Sequence, residues 1–265
     1  MNDQDAGGPT RQAAFGIDGL DDILGGGLER DRVYLLEGAP GTGKTTAAMR
    51  FLMEGSRLGE ATLYITLSET EEELRSTAAS HRWGLADIRI FELVPPESLL
   101  DEQQQQSLLY SSDLELGETT RMIFEAVEEQ KPKRVVIDSL SEIRLLAQSS
   151  LRYRRQVLAL KHYFAKHGAT VLLLDDLTTE INDKTVHSVA HGVIQLQELA
   201  PEYGAERRRV RVIKYRGRRY RGGFHDFTIK TGGLEVYPRI VASEHRTRFD
   251  RSPVSSGVAE LDALL

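Results

Sequence analysis

Apolar residues in this chain fall into short continuous runs that alternate with stretches of helical spacing, and the alternation holds as far as Asp176. Arg32–Glu37 reads as a short buried strand, followed by a helix from Lys44 to about Leu58 with Gly59 as its C-cap. Ala61–Leu67 is a second strand, and Thr70 with Glu73 forms a capping box for a helix to about His81. Ile88–Leu93 is a third strand. Pro95–Gly117 reads as a long loop holding the run Gln103–Gln106, and Glu118–Gln130 as a helix. Lys133–Ser139 is a buried strand ending in an acid. Leu151–His167 is a helix with Val157, Leu158, Leu160, Tyr163 and Phe164 at helical spacing. Thr170–Leu174 is a further apolar strand that ends at Asp175-Asp176. Such alternation predicts a parallel sheet covered by helices on both faces. Ahead of it, Ile17, Leu20, Ile23 and Leu24 share one face of a short helix that closes on Gly25-Gly26-Gly27.

From His191 the period changes. Gly192–Leu196, Arg209–Tyr215, Phe224–Ile229 and Gly232–Tyr237 read as strands with short connections, so the sheet is expected to finish with antiparallel strands at one edge. Residues 1–12 read as a disordered tail, 13–240 as one α/β domain, and Val241–Pro253 as a polar linker. The last residues repeat an earlier pattern. Gly16, Ile17, Leu20, Asp21 and Leu24 match Gly257, Val258, Leu261, Asp262 and Leu265 without a gap. Residues 241–265 therefore read as a linker and the start of a second, similar domain that is truncated here.

Composition narrows the class. The 265 residues are 40% hydrophobic and 28% charged, an ordinary globular balance. With no cysteine, disulfides, thiol nucleophiles and cysteine-bound metals are excluded, and a reducing cytoplasm fits. No apolar run approaches a membrane span, so no membrane partner is expected. A net charge of −6 argues against general nucleic-acid binding, yet arginine and lysine crowd between Glu206 and Arg221.

The candidate chemistry centres on Gly38-Ala39-Pro40-Gly41-Thr42-Gly43-Lys44-Thr45, which fits the phosphate-cradling G-x-x-x-x-G-K-[ST] loop between a strand and a helix. Glycines let the backbone curl so that successive N–H groups face phosphate oxygens, and the helix opening at Lys44 adds its positive end. Lys44 is expected to reach the β- and γ-phosphates, and Thr45 to ligate Mg²⁺. Asp138 is the expected acid of the magnesium shell. Glu69, just past the second strand, lies at the edge where a parallel sheet binds ligands and is the expected water-orienting carboxylate. Lys214 and Arg216 sit two apart on one strand. They could complete a γ-phosphate site in an adjacent subunit, form part of a nucleic-acid strip, or be charges on a solvated edge strand. The histidines show no metal-ligand spacing.

Taken together, Gly16–Asp21, Gly25–Gly27, the phosphate loop, Ser68-Glu69, Arg82-Trp83-Gly84, Val136–Ser139, Lys214–Gly217, Phe227–Ile229 and the restart at Ser256-Gly257-Val258 resemble the first ATPase domain of the KaiC family, within the RecA-like P-loop group. The resemblance covers nearly the whole chain. It implies a RecA-like α/β core, two tandem domains, and hexameric rings with ATP and Mg²⁺ between subunits. By position it implies that Gly38 through Thr46 hold the nucleotide and metal, with Lys44 and Glu69 serving hydrolysis. Ser80 would lie near the nucleotide, Lys214, Tyr215 and Arg216 would reach the neighbour's ATP, and Arg218 and Tyr220 would approach its base or ribose. Ser68 replaces the first of the family's two adjacent glutamates, which implies slower or differently organised hydrolysis. Autophosphorylation on Ser and Thr would belong to the second domain, and a regulatory protein is an expected further partner. A DNA-binding recombinase-like ATPase and a nucleotide-gated scaffold with little turnover are the rival readings.

Overall fold

The computed structural model describes residues 12–93, 108–177, 185–242 and 254–264. The run Gln103–Gln106 lies outside them. In chain order, β1 (Gln12–Ala13), α1 (Asp18–Leu24) and β2 (Leu28–Glu29) precede β3 (Val33–Gly38) and α2 (Lys44–Arg57). Then come β4 (Thr62–Thr66), α3 (Glu71–Ser80), β5 (Arg89–Glu92), α4 (Leu108–Gln130), β6 (Arg134–Asp138), α5 (Leu140–Ala147), α6 (Ser150–His167) and β7 (Thr170–Asp176). The remainder is α7 (Thr185–Val189), β8 (Gly192–Leu199), β9 (Arg207–Tyr215), β10 (His225–Lys230), β11 (Gly233–Tyr237) and α8 (Ala259–Asp262).

The strands from β3 to β11 form a nine-stranded sheet in the order β11-β10-β9-β8-β3-β7-β6-β4-β5. Neighbours from β8 to β5 are parallel, whereas β9, β10 and β11 add antiparallel pairs at one edge, the α/β class expected from the sequence. The central strands β3, β4 and β6 are buried throughout, so their side chains divide by period two between two cores. Tyr34, Leu36, Tyr64, Val136, Leu172 and Leu174 face the side covered by α1, α2 and α3. Val33, Leu35, Leu63, Ile65, Val135 and Ile137 face the side covered by α4 to α7.

Several boundaries differ from expectation. Gln12 is no tail residue: it pairs with Glu29 across β1 and β2. Helix α4 starts at Leu108, so the expected loop to Gly117 is shorter. Helix α5 was not expected, though Leu140, Ile143 and Ala147 stand at helical spacing and are buried. Strand β9 lies between β8 and β10, so the basic stripe is not on an edge strand; β11 is the edge. The capping box of α3 is present, with Glu73 N donating to Thr70 Oγ1 at 3.2 Å and Thr70 N to Glu73 Oε2 at 2.8 Å.

The segment from Ser256 to Leu264 shares local geometry with Phe15–Ile23. Asp21 Oδ1 accepts from Phe15 N at 2.7 Å, and Asp262 Oδ1 accepts from Ser256 N at 2.7 Å. Gly16 and Gly257 both have positive φ (+72° and +81°), which a side chain would oppose. The N-caps Ile17 and Val258 share extended backbone. The two helices differ in burial: α1 buries Leu20, Ile23 and Leu24, and α8 buries none of its residues.

Candidate active site

The site is built at the C-terminal ends of β3, β4, β6 and β7, where a parallel sheet presents its loops. The chain leaves β3 at Gly38, turns through Gly41 (φ +81°) and Gly43 (φ +96°), and enters α2 at Lys44. Thr42 Oγ1 donates to Ala39 O at 2.7 Å and closes the loop on itself. Ala39, Pro40 and Gly41 are exposed, whereas Thr46 is buried on α2. A Cβ at Gly38 would lie 2.8 Å from Leu196 O and 2.6 Å from Thr42 Oγ1, so the turn tolerates no side chain there.

Lys44 is nearly buried. Its ammonium donates to Gly38 O (2.9 Å) and Ala39 O (3.0 Å) and pairs with Asp176 Oδ1 at 2.7 Å. Thr45 Oγ1 faces Asp138 Oδ2 at 3.4 Å. The same Asp138 oxygen accepts from the buried Tyr64 hydroxyl at 2.5 Å. Burial raises the Asp138 carboxyl above its ordinary range, against the opposing pull of Tyr64 and Lys44. Leu67 N donates to Asp138 O at 2.7 Å, which ties the loop after β4 to β6.

Glu69 sits in that loop. Its backbone is pinned at both ends by Thr66 Oγ1, which donates to Glu69 O (2.7 Å) and accepts from Glu69 N (3.0 Å). Its Oε2 is buried without a hydrogen-bond partner among the described residues. Burial, then the Asp138 charge, raises this carboxyl above its ordinary range, and Lys44 acts in the opposite sense. An orphaned carboxylate oxygen beside a phosphate loop is a group whose partner is supplied by a ligand or its water. The candidate metal donors, Thr45 and Asp138, are oxygens. Among the described residues there is no cluster of three or more metal-binding side chains. That set fits Mg²⁺, which takes one or two protein oxygens and completes its shell with water and phosphate.

The expected cations lie elsewhere. Lys214 shares a row with Val193 and Leu35, and Arg216 N bonds His191 O at the row of Val33. Gly38 is five residues beyond Val33, about 16 Å along the strand. Lys214 Nζ donates to His187 O (2.5 Å) and Ala190 O (2.8 Å), and Arg216 Nη2 donates to Ser188 O (2.7 Å). Both therefore point to α7, across the sheet from α2. Burial, then Arg216 and Lys161, pushes the Lys214 ammonium below its ordinary range. Tyr215 turns the other way into the core, where its hydroxyl donates to Gly27 O at 3.0 Å and accepts from Glu29 N at 2.8 Å.

Arg218 lines a surface pocket with Glu29, His191, Arg216 and Arg219, at the end of β3 opposite the phosphate loop. Tyr220 packs against the core beneath α1. Ser80 ends α3 and bonds back to Thr77 O at 2.7 Å. The structure thus brings Lys44, Thr45, Asp138 and Glu69 together and leaves Ser80, Lys214, Tyr215, Arg216, Arg218 and Tyr220 outside that cluster.

The arginines of the stripe on β9 all have local partners, and two of them are paired with acids. Arg207 pairs with Asp226 and Arg208 with Glu198, both at 2.8 Å. Arg209 and Arg211 bond Gln197 and Gln195, and both lie over the Phe224 ring.

Sequence reasoning missed Tyr64, Asp176 and Glu37. Tyr64 was marked only by a polar-tipped residue within an apolar strand, and Asp176 only by the doubled acid closing β7. Glu37 is buried at the root of the phosphate loop and bonds His187 Nε2 at 2.6 Å and Gln195 Nε2 at 2.9 Å.

The family model "ATPase: KaiC" matches residues 13–240. An UPF0273 protein of Pyrococcus horikoshii is 28% identical over 242 residues, covering 86% of this chain and 95% of the relative. An UPF0273 protein of Aeropyrum pernix is 31% identical over 231 residues, covering 84% and 92%. The circadian clock oscillator protein KaiC of Synechococcus elongatus is 28% identical over 257 residues, covering 94% of this chain and 48% of the relative.

Proposed function

The chain belongs to the KaiC ATPase family, and on that premise we propose that it binds Mg²⁺-ATP on Gly38–Thr46 and hydrolyses it slowly at a site completed by a second copy of itself in a ring. The observation that carries this reading is the separation of the two halves of the site. Lys44, Thr45, Asp138 and Glu69 cluster at the C-terminal strand ends, whereas Lys214, in the row of Leu35, and Arg216, in the row of Val33, point to α7 on the opposite face. Both cations are held by carbonyls of α7 and Ala190 instead of facing their own phosphate loop, which favours a role at a neighbour's phosphates.

In this scheme the loop amides and Lys44 hold the phosphates. Mg²⁺, when bound by Thr45 and Asp138, offsets the charge on the phosphate oxygens. Glu69 accepts a hydrogen bond from the attacking water through the oxygen that lacks an internal partner. Lys214 and Arg216 of the adjacent copy supply positive charge where it builds in the transition state. Arg218 and Tyr220 are the proposed contacts to the base or ribose of the neighbour's ATP, Ser80 lies near the nucleotide, and Tyr215 positions the two cations from inside the core. Because the stripe on β9 is paired with local acids and amides, we do not assign it to nucleic acid.

Light scattering with and without Mg²⁺-ATP tests the assembly, and steady-state turnover of wild type and Glu69→Gln tests the chemistry. The reading expects a ring that forms with nucleotide, and turnover that falls by about 10²-fold or more in the variant. A monomer that turns over at the wild-type rate without Glu69 would overturn it.

A further inference from the structure

Helix α7 touches both halves of the proposed site through one residue. The His187 ring reaches back to Glu37, the last residue before Gly38, with Nε2 to Oε2 at 2.6 Å. Facing a carboxylate, that ring nitrogen donates. The His187 carbonyl accepts from Lys214 Nζ at 2.5 Å, and the next carbonyl, Ser188 O, accepts from Arg216 at 2.7 Å. Glu37 itself is not free to swing. It is buried, its other oxygen accepts from Gln195, and Gln195 is held in turn by Arg211 and Gln197. A displacement of Glu37 therefore travels with its strand and pulls on α7. The helix is only five residues long, and its far end is fixed by Ala190 N to Val186 O and by His191 N to Val33 O, at 2.8 and 2.7 Å.

We propose that His187 is a positioning residue that couples a subunit's own phosphate loop to the cations the same subunit offers its neighbour. When nucleotide settles on Gly38–Thr45, the root of the loop adjusts, Glu37 carries His187 with it, and the carbonyls that aim Lys214 and Arg216 are reset. Occupancy of one site thereby sets the readiness of the next. The coupling needs no contact between the two nucleotides. It rests on the assignment of Lys214 and Arg216 as trans-acting groups.

The test is amide hydrogen exchange of the whole chain with and without a slowly hydrolysed ATP analogue and Mg²⁺. Wild type is expected to show protection over residues 39–46, and exchange at Ala190 and His191 slowed by about threefold or more. In His187→Ala the loop is still protected but Ala190 and His191 no longer respond, and His187→Gln, which restores a donor, recovers the response. Should His187→Ala fail to fold, Glu37→Leu, which has no acceptor, breaks the same link from the other side and is read in the same way. Retention of the response at Ala190 and His191 in these variants overturns the proposal, as does its absence in wild type with the loop protected. The assumption beneath is tested separately. Wild-type turnover in Lys214→Ala/Arg216→Ala removes the trans assignment but leaves the exchange result standing.

Discussion

The Lys44 ammonium lies 2.7 Å from Asp176 Oδ1, at the end of β7, the strand that pairs with β3. The phosphate loop therefore shares its lysine with an acid as well as with two carbonyls. A triphosphate recruits the same ammonium and meets the Asp176 charge, so Asp176 opposes nucleotide binding. Asp176→Asn is expected to tighten ATP binding three- to tenfold, about 1 kcal/mol, the scale of one part-exposed ion pair. Titration calorimetry measures it. Weaker binding would show instead that Asp176 helps hold the metal.

Glu69 and Asp138 both hold their protons to higher pH in the folded chain than in the unfolded one. The folded state therefore binds more protons between the two pKa values of each group. Stability falls as pH rises from the ordinary carboxylate range through the raised one. Turnover moves the other way, because the carboxylate of Glu69 is the working form. The acid limb of the rate profile is expected above the range of an ordinary glutamate. Glu69→Gln is expected to flatten that limb and to raise the melting temperature near neutral pH by about 2 °C. A variant that melts lower would contradict the burial cost assigned to this carboxyl.

Much of this site was legible in the sequence because its parts are local. The spacing from Gly38 to Thr45 carries the loop, and Asp138 and Glu69 follow buried strands whose direction the strand–helix alternation fixed. What escaped depends on register between distant segments. Asp176 faces Lys44 only because β7 lies beside β3, and Tyr64 meets Asp138 only because β4 lies beside β6. His187 meets Glu37 across 150 residues of chain. The same holds for the stripe on β9. Its arginines read as exposed charge until β8 and β10 supply their partners.

Two glycines of the loop are expected to differ. At Gly38 a methyl group would meet Leu196 O, backbone of β8, and Thr42 Oγ1, whose bond to Ala39 O closes the turn. Gly38→Ala is expected to cost about 2–3 kcal/mol in urea denaturation, as overpacking does. At Gly41 a methyl group meets nothing within 4 Å, and only φ +81° opposes it. Gly41→Ala is expected to cost about 1 kcal/mol. Equal costs would contradict the close approach at Gly38.

Arg134 is fully buried at the start of β6, bonded to Glu60 at 2.6 Å and to the carbonyls of Ala14 and Phe51. Glu60 also bonds Arg30 and is held below the usual carboxylate range by both arginines, against its own burial. Glu60→Ala strands a buried charge and is expected to cost about 3 kcal/mol or more, whereas Arg134→Met removes the charge and is expected to cost less. Chemical denaturation of the two variants gives the order. The reverse order would mean that the backbone carbonyls alone satisfy the guanidinium.

The composite site is tested most directly by subunit complementation. One variant, Lys44→Ala, lacks the phosphate grip and keeps the trans cations; the other, Lys214→Ala/Arg216→Ala, keeps the grip and lacks the cations. Each alone is expected to turn over ATP at near-background rate. Mixed in equal amounts under conditions of subunit exchange, they are expected to recover about a quarter of wild-type turnover, because one interface in four pairs an intact loop with intact cations. Full activity of the Lys214→Ala/Arg216→Ala protein by itself would show that the cations take no part, and no recovery in mixed rings would show that each subunit completes its own site.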